Sequence, residues 1–169
     1  MDSLAADKAE LAALLNHVHT ELRDEALAFP ESLRLVHPAP GEWCAMELLG
    51  HVAEMHYSYV KRAEQLIASP GAPLARDMAS PERMAAIAGG PALTLEEALN
   101  QLDEARLHAL AFLDRLKPNE MVITGHHQAL GPMTVRDVFA RTIVGHAQNH
   151  LQQLRATREQ IEAAASADG

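Results

Sequence analysis

Two histidines four residues apart, His146 and His150, are the strongest chemical signal in this sequence. Side chains at that spacing lie one above the other on a helix, so both imidazoles can reach one metal ion at about 2.0–2.1 Å. Phe139, Thr142 and Gln153 continue the same stripe, which indicates that the pair faces the core. Buried imidazoles need hydrogen-bond partners or a shared cation. The pattern therefore predicts a metal site, with two histidines satisfied by water or neighbouring side chains as the alternative.

A third histidine, His51, follows Leu48 by three residues and precedes Met55 by four, so it too is expected to face the core. Gly50 beside it leaves room for another helix to approach closely. Three histidines from two facing helices would give a metal three protein ligands and leave coordination positions open. That arrangement is typical of catalytic metal sites, whereas structural sites are closed by four ligands. The alternative for His51 is an ordinary core or boundary histidine.

Two further polar residues are candidates for catalysis. Glu54 lies three residues after His51 and could accept a hydrogen bond from it, act as a base or serve as a fourth ligand; the alternative is a solvated helix residue. Gln153 lies one turn beyond His150 and could bind near that ligand or near the substrate; the alternative is a packing amide.

The sequence does not decide the roles of Cys44, His126 and His127. A cysteine at a helix N-terminus can have a lowered pKa, and the alternative is a small passive residue. The two loop histidines could lie over the site. We interpret the remaining histidines as surface or boundary residues: His17, His19, His37, His56 and His108.

Four long helices must position these residues. Alanine and leucine dominate, aromatic residues make up 4%, and no Val/Ile/Thr run alternates in polarity. Apolar stripes, capping boxes and proline stops place the helices at about residues 3–28, 44–68, 94–116 and 134–164. The connection between the second and third helices is long enough to run the length of a bundle, and Ser80-Pro81-Glu82 predicts one short extra helix within it. We expect an all-α four-helix bundle with no sheet.

The whole chain of 169 residues suits one domain, residues 1–169, with a tail that frays from about residue 164. A single cysteine excludes an internal disulfide, and no secretory signal or membrane-spanning stretch is evident, so we expect a cytoplasmic protein. The formal charge of −9 repels phosphate backbones and argues against nucleic-acid binding.

Three segments resemble the DinB/YfiT-like family. Residues 40–54, PGEWCAMELLGHVAE, are similar to the family's "PGxWSxxEVLGHLAD" opening of its second helix. Residues 125–135, GHHQALGPMTV, are similar to its loop into the fourth helix, and residues 146–154 to its "HxxHHxxQI" stretch. The chain departs from the pattern at Cys44, where the family usually has a serine cap, and at Asn149, where it often has histidine.

The resemblance implies a bundle of up-down-down-up order, with a metal held by one histidine on the second helix and two on the fourth. By position these are His51, His146 and His150. We expect one divalent ion, Zn, Ni, Fe or Mn. The expected function is metal-dependent hydrolysis or transfer of a low-molecular-weight thiol to an electrophile, so a small-molecule thiol or an electrophilic substrate is the expected partner. The alternative is a non-catalytic, stress-associated module with a structural or regulatory metal. The oligomeric state stays open, with a homodimer as one expectation.

Overall fold

Helices account for most of the structure. The structure is a computed structural model that describes residues 3–75 and 77–167. The α-helices are α1 (Ser3–Ala28), α2 (Ala45–Ala68), α3 (Pro81–Gly89), α4 (Leu95–Arg115), α5 (Pro118–Met121), α6 (Val135–Asp137) and α7 (Gly145–Ala167). A π-helix, Val138–Val144, joins α6 to α7, and 3-10 turns lie at Glu31–Leu33 and Gly90–Ala92. The first three expected long helices and the short helix after Ser80 are confirmed, and the fourth is formed by α6, the π-helix and α7 in succession.

Contacts between the long helices give their directions. Arg115, at the end of α4, pairs with Glu64 near the end of α2, and the His108 ring lies 4.7 Å from that of Tyr57. These two helices are therefore parallel. Helix α1 runs against α4, since Asn16 Oδ1 accepts from the Arg106 guanidinium and Lys8, two turns earlier, donates to the carbonyl of Asp114, two turns later.

The continuous segment from α6 through α7 runs alongside α1 in the same direction, because Asp7 pairs with Arg136 of α6 and Glu25 pairs with Arg158 of α7. It runs against α2, because the ring of His51 lies near that of His150 and the ring of Tyr59, farther along α2, lies near that of His146. The order is up-down-down-up, as expected, and the long connection between α2 and α4 is what allows those two helices to be parallel neighbours.

The short helix α3 packs closely on α2 through two glycines. A Cβ atom at Gly50 would lie 2.5 Å from the carbonyl oxygen of Ala86, and one at Gly90 would lie 2.3 Å from that of Met46. Both obstacles are backbone atoms, so either side chain would force the helices apart. The expectation that Gly50 permits close approach of another helix is confirmed.

A small antiparallel hairpin, β1 (Thr124–His127) and β2 (Gly131–Thr134), corrects the expectation of no sheet. Its first strand also bonds to the connection after α2: Gly71 N–H donates to the Thr124 carbonyl at 3.0 Å, and Leu74 N–H donates to that of His126 at 2.9 Å. The long connections must satisfy their backbone groups, and this ladder does so. Four-residue strands with glycine and proline lack the alternating apolar signal of longer strands.

Two of the expected surface or boundary histidines are instead buried. His19 on α1 is 6% exposed, His56 on α2 is 0% exposed, and their Nε2 atoms lie 2.9 Å apart. His56 Nδ1–H donates to the Val52 carbonyl at 2.8 Å, so its Nε2 accepts the proton that His19 donates. The interpretation of these two histidines as surface or boundary residues was wrong. Their rings hydrogen-bond to each other across the interface of α1 and α2, and the sequence does not show which residues meet at that interface.

Helix α7 continues to Ala167, past the position where we expected the tail to fray, and the rest of that expected tail lies outside the described residues. The expectation of one domain over residues 1–169 stays a prediction. No helix in the described ranges is both long and apolar enough to cross a bilayer.

The buried His19–His56 pair predicts a loss of stability in acid. Burial lowers the pKa of both imidazoles, that of His56 to about 4 from 6.5. Below pH 6.5 the unfolded chain binds protons there and the folded chain does not, so the free energy of unfolding should fall by about 1.4 kcal/mol per pH unit for each histidine down to pH 4. Urea unfolding of metal-free protein across this range measures the slope.

A double variant, His19→Leu/His56→Leu, should flatten that slope, whereas a change at exposed His17, His17→Asn, should leave it intact. An unchanged slope in the double variant would show that the pair does not titrate as its burial requires.

Candidate metal centre

The three expected ligands, His51, His146 and His150, converge on one point between α2 and α7. One ring nitrogen from each lies within 4.8 Å of those of the other two. The ring centroids are 5.8 Å apart for His51 and His146, 4.8 Å for His51 and His150, and 4.6 Å for His146 and His150. Three imidazole nitrogens at this separation suit a divalent ion such as Zn²⁺ or Ni²⁺, which binds nitrogen donors at about 2 Å.

The two histidines on α7 stand one turn apart on the face that meets α2. The π-helix directly precedes them, and its Thr142 Oγ1 donates to the Val138 carbonyl at 2.5 Å. An α-helix turns by about 100° per residue, so a wider turn here changes the direction in which the following side chains point. Both histidines are half-buried and line a cavity rather than lying deep in the core.

Gln153 fixes the orientation of the ring of one candidate ligand, His150. Its Oε1 lies 2.9 Å from His150 Nδ1, so Nδ1–H donates to the amide and the lone pair of His150 lies on Nε2. Ligand histidines in metal sites commonly donate their other ring N–H in this way. Gln153 also lines the cavity beside the three histidines.

His51 is 2% exposed and is held by the well-capped start of α2. At that start Cys44 N–H donates to Glu47 Oε2 at 2.8 Å, so Glu47 caps the first turn of the helix. Glu54 Oε2 lies 3.8 Å from His51 Nδ1. Glu54 lines a separate groove between α2, α3 and α4, so it stands behind His51 rather than in the histidine cavity.

The histidine cavity has a volume of about 430 Å³, and Trp43 is one of its lining residues. The Trp43 ring lies 4.9 Å from that of His51 and 6.2 Å from that of His150. Tyr59 stands beside His146, with ring centroids 6.3 Å apart, and Arg83 of α3 also lines the cavity. A small organic molecule could therefore lie on the indole and reach the histidines.

Other candidates from the sequence lie elsewhere. His126 and His127 belong to β1, and neither joins the three-histidine cluster among the described residues; His127 Nδ1 accepts from the amides of Ala129 and Leu130 instead. Cys44 is fully buried, and burial raises the pKa of its thiol, which favours the passive role. Its sulfur lies near His37 and Glu47, a second group within metal-binding distance, although His37 Nε2 and Glu47 Oε2 already contact each other at 2.9 Å.

Sequence reasoning missed Tyr59 and Arg83 as cavity residues. Tyr59 lies eight residues after His51, two helical turns along the same face, so its spacing could have revealed it. Arg83 comes from the short helix, whose place against α2 no local pattern discloses.

Comparisons with known proteins agree with this architecture. A family model described as the DinB superfamily matches residues 14–154. A structure described as YfiT from Bacillus subtilis, "a probable metal-dependent hydrolase with an unusual four-helix bundle topology", is similar with a TM-score of 0.72 and 16% identity, over 92% of this chain and 87% of that one. A mutant of a mycothiol-dependent maleylpyruvate isomerase is similar with a TM-score of 0.61 and 16% identity, over 83% of this chain and 59% of the other. At these identities the likeness concerns the fold alone. No match was found among curated proteins.

The contact between Gln153 and His150 predicts an effect on metal affinity. Changing Gln153→Leu removes the acceptor for Nδ1–H and should weaken metal binding about 10- to 100-fold. Competition with a chromogenic chelator measures it. The neighbouring exposed residue provides the matched control, and Gln152→Leu should leave affinity unchanged. Equal affinities for the two variants would contradict a positioning role for Gln153.

Proposed function

The chain belongs to the DinB superfamily, whose model matches residues 14–154, and we propose that it is a metal-dependent enzyme that transfers a low-molecular-weight thiol to a small electrophile. The observation that carries the proposal is the convergence of three imidazole nitrogens on the wall of a cavity of about 430 Å³. His51, His146 and His150 would hold one divalent ion. Three protein ligands leave room for a ligand from the cavity, as in catalytic rather than structural sites.

When bound, a divalent ion would supply Lewis acidity and lower the pKa of a thiol or water that joins it. The protein's own residues do the rest. Gln153 holds the His150 ring in one orientation, Glu54 stands behind His51, and Trp43 offers an apolar surface for the substrate.

The distribution of carboxylates favours a thiol over water as the nucleophile. Among the lining residues that the structure describes, the one carboxylate is that of Glu42, which is exposed to solvent, and Glu54 faces a different groove. A thiol beside a metal loses its proton readily and needs no buried base, whereas attack by water commonly uses one. The mycothiol dependence of one structural neighbour supports the same choice.

Hydrolysis is the second candidate, and the description of YfiT as a probable metal-dependent hydrolase favours it. Thiol-dependent turnover of an electrophile such as a halogenated nitrobenzene, compared with ester hydrolysis by the same metal-loaded protein, separates the two. The thiol proposal expects rapid S-conjugation that depends on the metal; hydrolysis without thiol consumption would overturn it.

Removing any one ligand should abolish tight metal binding. The variants His51→Ala, His146→Ala and His150→Ala each leave two imidazoles, so affinity should fall more than about 100-fold, beyond the loss from a supporting residue. Metal titration with elemental analysis measures stoichiometry and affinity. The double variant His126→Ala/His127→Ala removes the same kind of side chain outside the cluster and should keep one metal per chain. Stoichiometric binding by a single ligand variant would remove that residue from the site.

The bundle itself should survive removal of the metal. A ligand that binds only the folded state adds about 2.7 kcal/mol when its free concentration is 100 times its Kd, so a chelator should lower Tm. The apolar core spans all four long helices, so the far-ultraviolet helix signal should stay nearly constant. Unfolding by a chelator at neutral pH and room temperature would instead indicate a structural metal and contradict the proposed open site.

A further inference from the structure

Arg83 places a positive charge beside the metal centre. Its guanidinium carbon lies 5.2 Å from the centroid of the Trp43 ring, which in turn lies 4.9 Å from that of His51. A ligand of a few bonds' length that rests on the indole can therefore reach both the guanidinium and the histidines. Of the lining residues that the structure describes, Arg83 is the one arginine or lysine.

The hydrogen bonds of Arg83 do not use the Nε side of its guanidinium. Nη1 donates to the Met78 carbonyl at 2.7 Å, which fixes the group against Trp43. Nε is shielded from solvent and has no acceptor among the described residues. A shielded donor without an acceptor costs free energy, and an acceptor supplied by a ligand would remove that cost.

Several other arginines of the bundle are paired with carboxylates. Arg106 pairs with Asp103, Arg136 with Asp7 and Arg158 with Glu25. No ion pair of this kind involves Arg83 within the described ranges, even though Glu42 lines the same cavity. The planar edge formed by Nε and Nη2 matches the two oxygens of a carboxylate.

We propose that Arg83 binds a carboxylate of the small molecule that enters the three-histidine cavity, so that the substrate or its thiol partner is an acid. This proposal rests on the proposed function. The chain carries a net charge of −9, which repels free anions, so capture of an acid requires a local cation such as this one.

The position of Arg83 is set by rigid elements, as a specificity residue requires. Helix α3 begins at the Ser80 cap, whose side chain accepts from Arg83 N–H at 3.4 Å. The close contacts at Gly50 and Gly90 hold the helix against α2, which also carries His51. The carboxylate site and the metal centre therefore share one framework, and their separation selects ligands by length.

A pair of thiols that differ only in charge tests the proposal. The protein loaded with Co²⁺ is titrated with 4-mercaptobutyrate and with its neutral amide, 4-mercaptobutanamide, while the cobalt spectrum is followed. The chain's single tryptophan, Trp43, gives a second signal through its fluorescence. The acid should bind at least about tenfold more tightly than the amide, as expected for a hydrogen-bonded charge pair.

The preference for the acid should disappear in Arg83→Met and persist in part in Arg83→Lys, while the amide's affinity stays unchanged. Arg83→Gln serves if the methionine variant fails to fold. Arg115→Met removes the same charge far from the cavity and should keep the full preference. A wild-type protein that does not discriminate, or a preference that survives Arg83→Met, would overturn the proposal.

If the proposed thiol function is wrong, the titrations give a different result from the one that overturns the role of Arg83. If Co²⁺ binds but neither thiol changes its spectrum, the open site of the proposed function is wrong. Arg83 is then tested alone, by titrating metal-free protein with butyrate and butyramide and following Trp43 fluorescence. A response to butyrate that Arg83→Met lacks supports the carboxylate site, and no response in the wild type overturns it.

Discussion

The antiparallel contact between α2 and α7 is the interaction on which the site depends. His51 on one helix meets His146 and His150 on the other, with ring centroids between 4.6 and 5.8 Å apart. A shift of one residue along either helix would move a ring by about 1.5 Å and turn it by about 100°, which would end the convergence. Three features help to set this register of α2 against α7. They are the π-helix before α7, the cap at Cys44 and Glu47, and the glycine contacts with α3.

The bundle buries imidazoles in two different ways. His19 and His56 satisfy each other and the Val52 carbonyl, an arrangement that is complete within the protein and keeps both rings neutral. In the second cluster, Gln153 accepts from the far side of His150, and nitrogens from the three rings point to a common centre at the edge of a cavity. The first arrangement stabilises neutral histidines in the core, and the second would offer three imidazole nitrogens to a cation.

Much of this could be predicted from the sequence because helical spacing is local. The helix limits, the shared face of His146 and His150 and the close approach at Gly50 follow from residues within a few turns of one another. The hairpin, the pairing of His19 with His56 and the arrival of Arg83 at the cavity depend on contacts between distant segments. The π-helix was not predicted either, because the apolar residues of Val138–Val144 have the spacing of an ordinary α-helix. Glu54 lies 3.8 Å from His51, close to it as the spacing of three residues indicates, but it lines a separate groove.

X-ray absorption spectroscopy of the zinc-loaded protein tests the central claim most directly, because it counts the atoms around the metal. The account predicts three imidazole nitrogens at about 2.0–2.1 Å, one or two further light atoms, and no sulfur until a thiol is added. Addition of a thiol should then introduce one sulfur at about 2.3 Å. A sulfur neighbour before any thiol is added would place the metal at Cys44 with His37 and Glu47, and would contradict the three-histidine site.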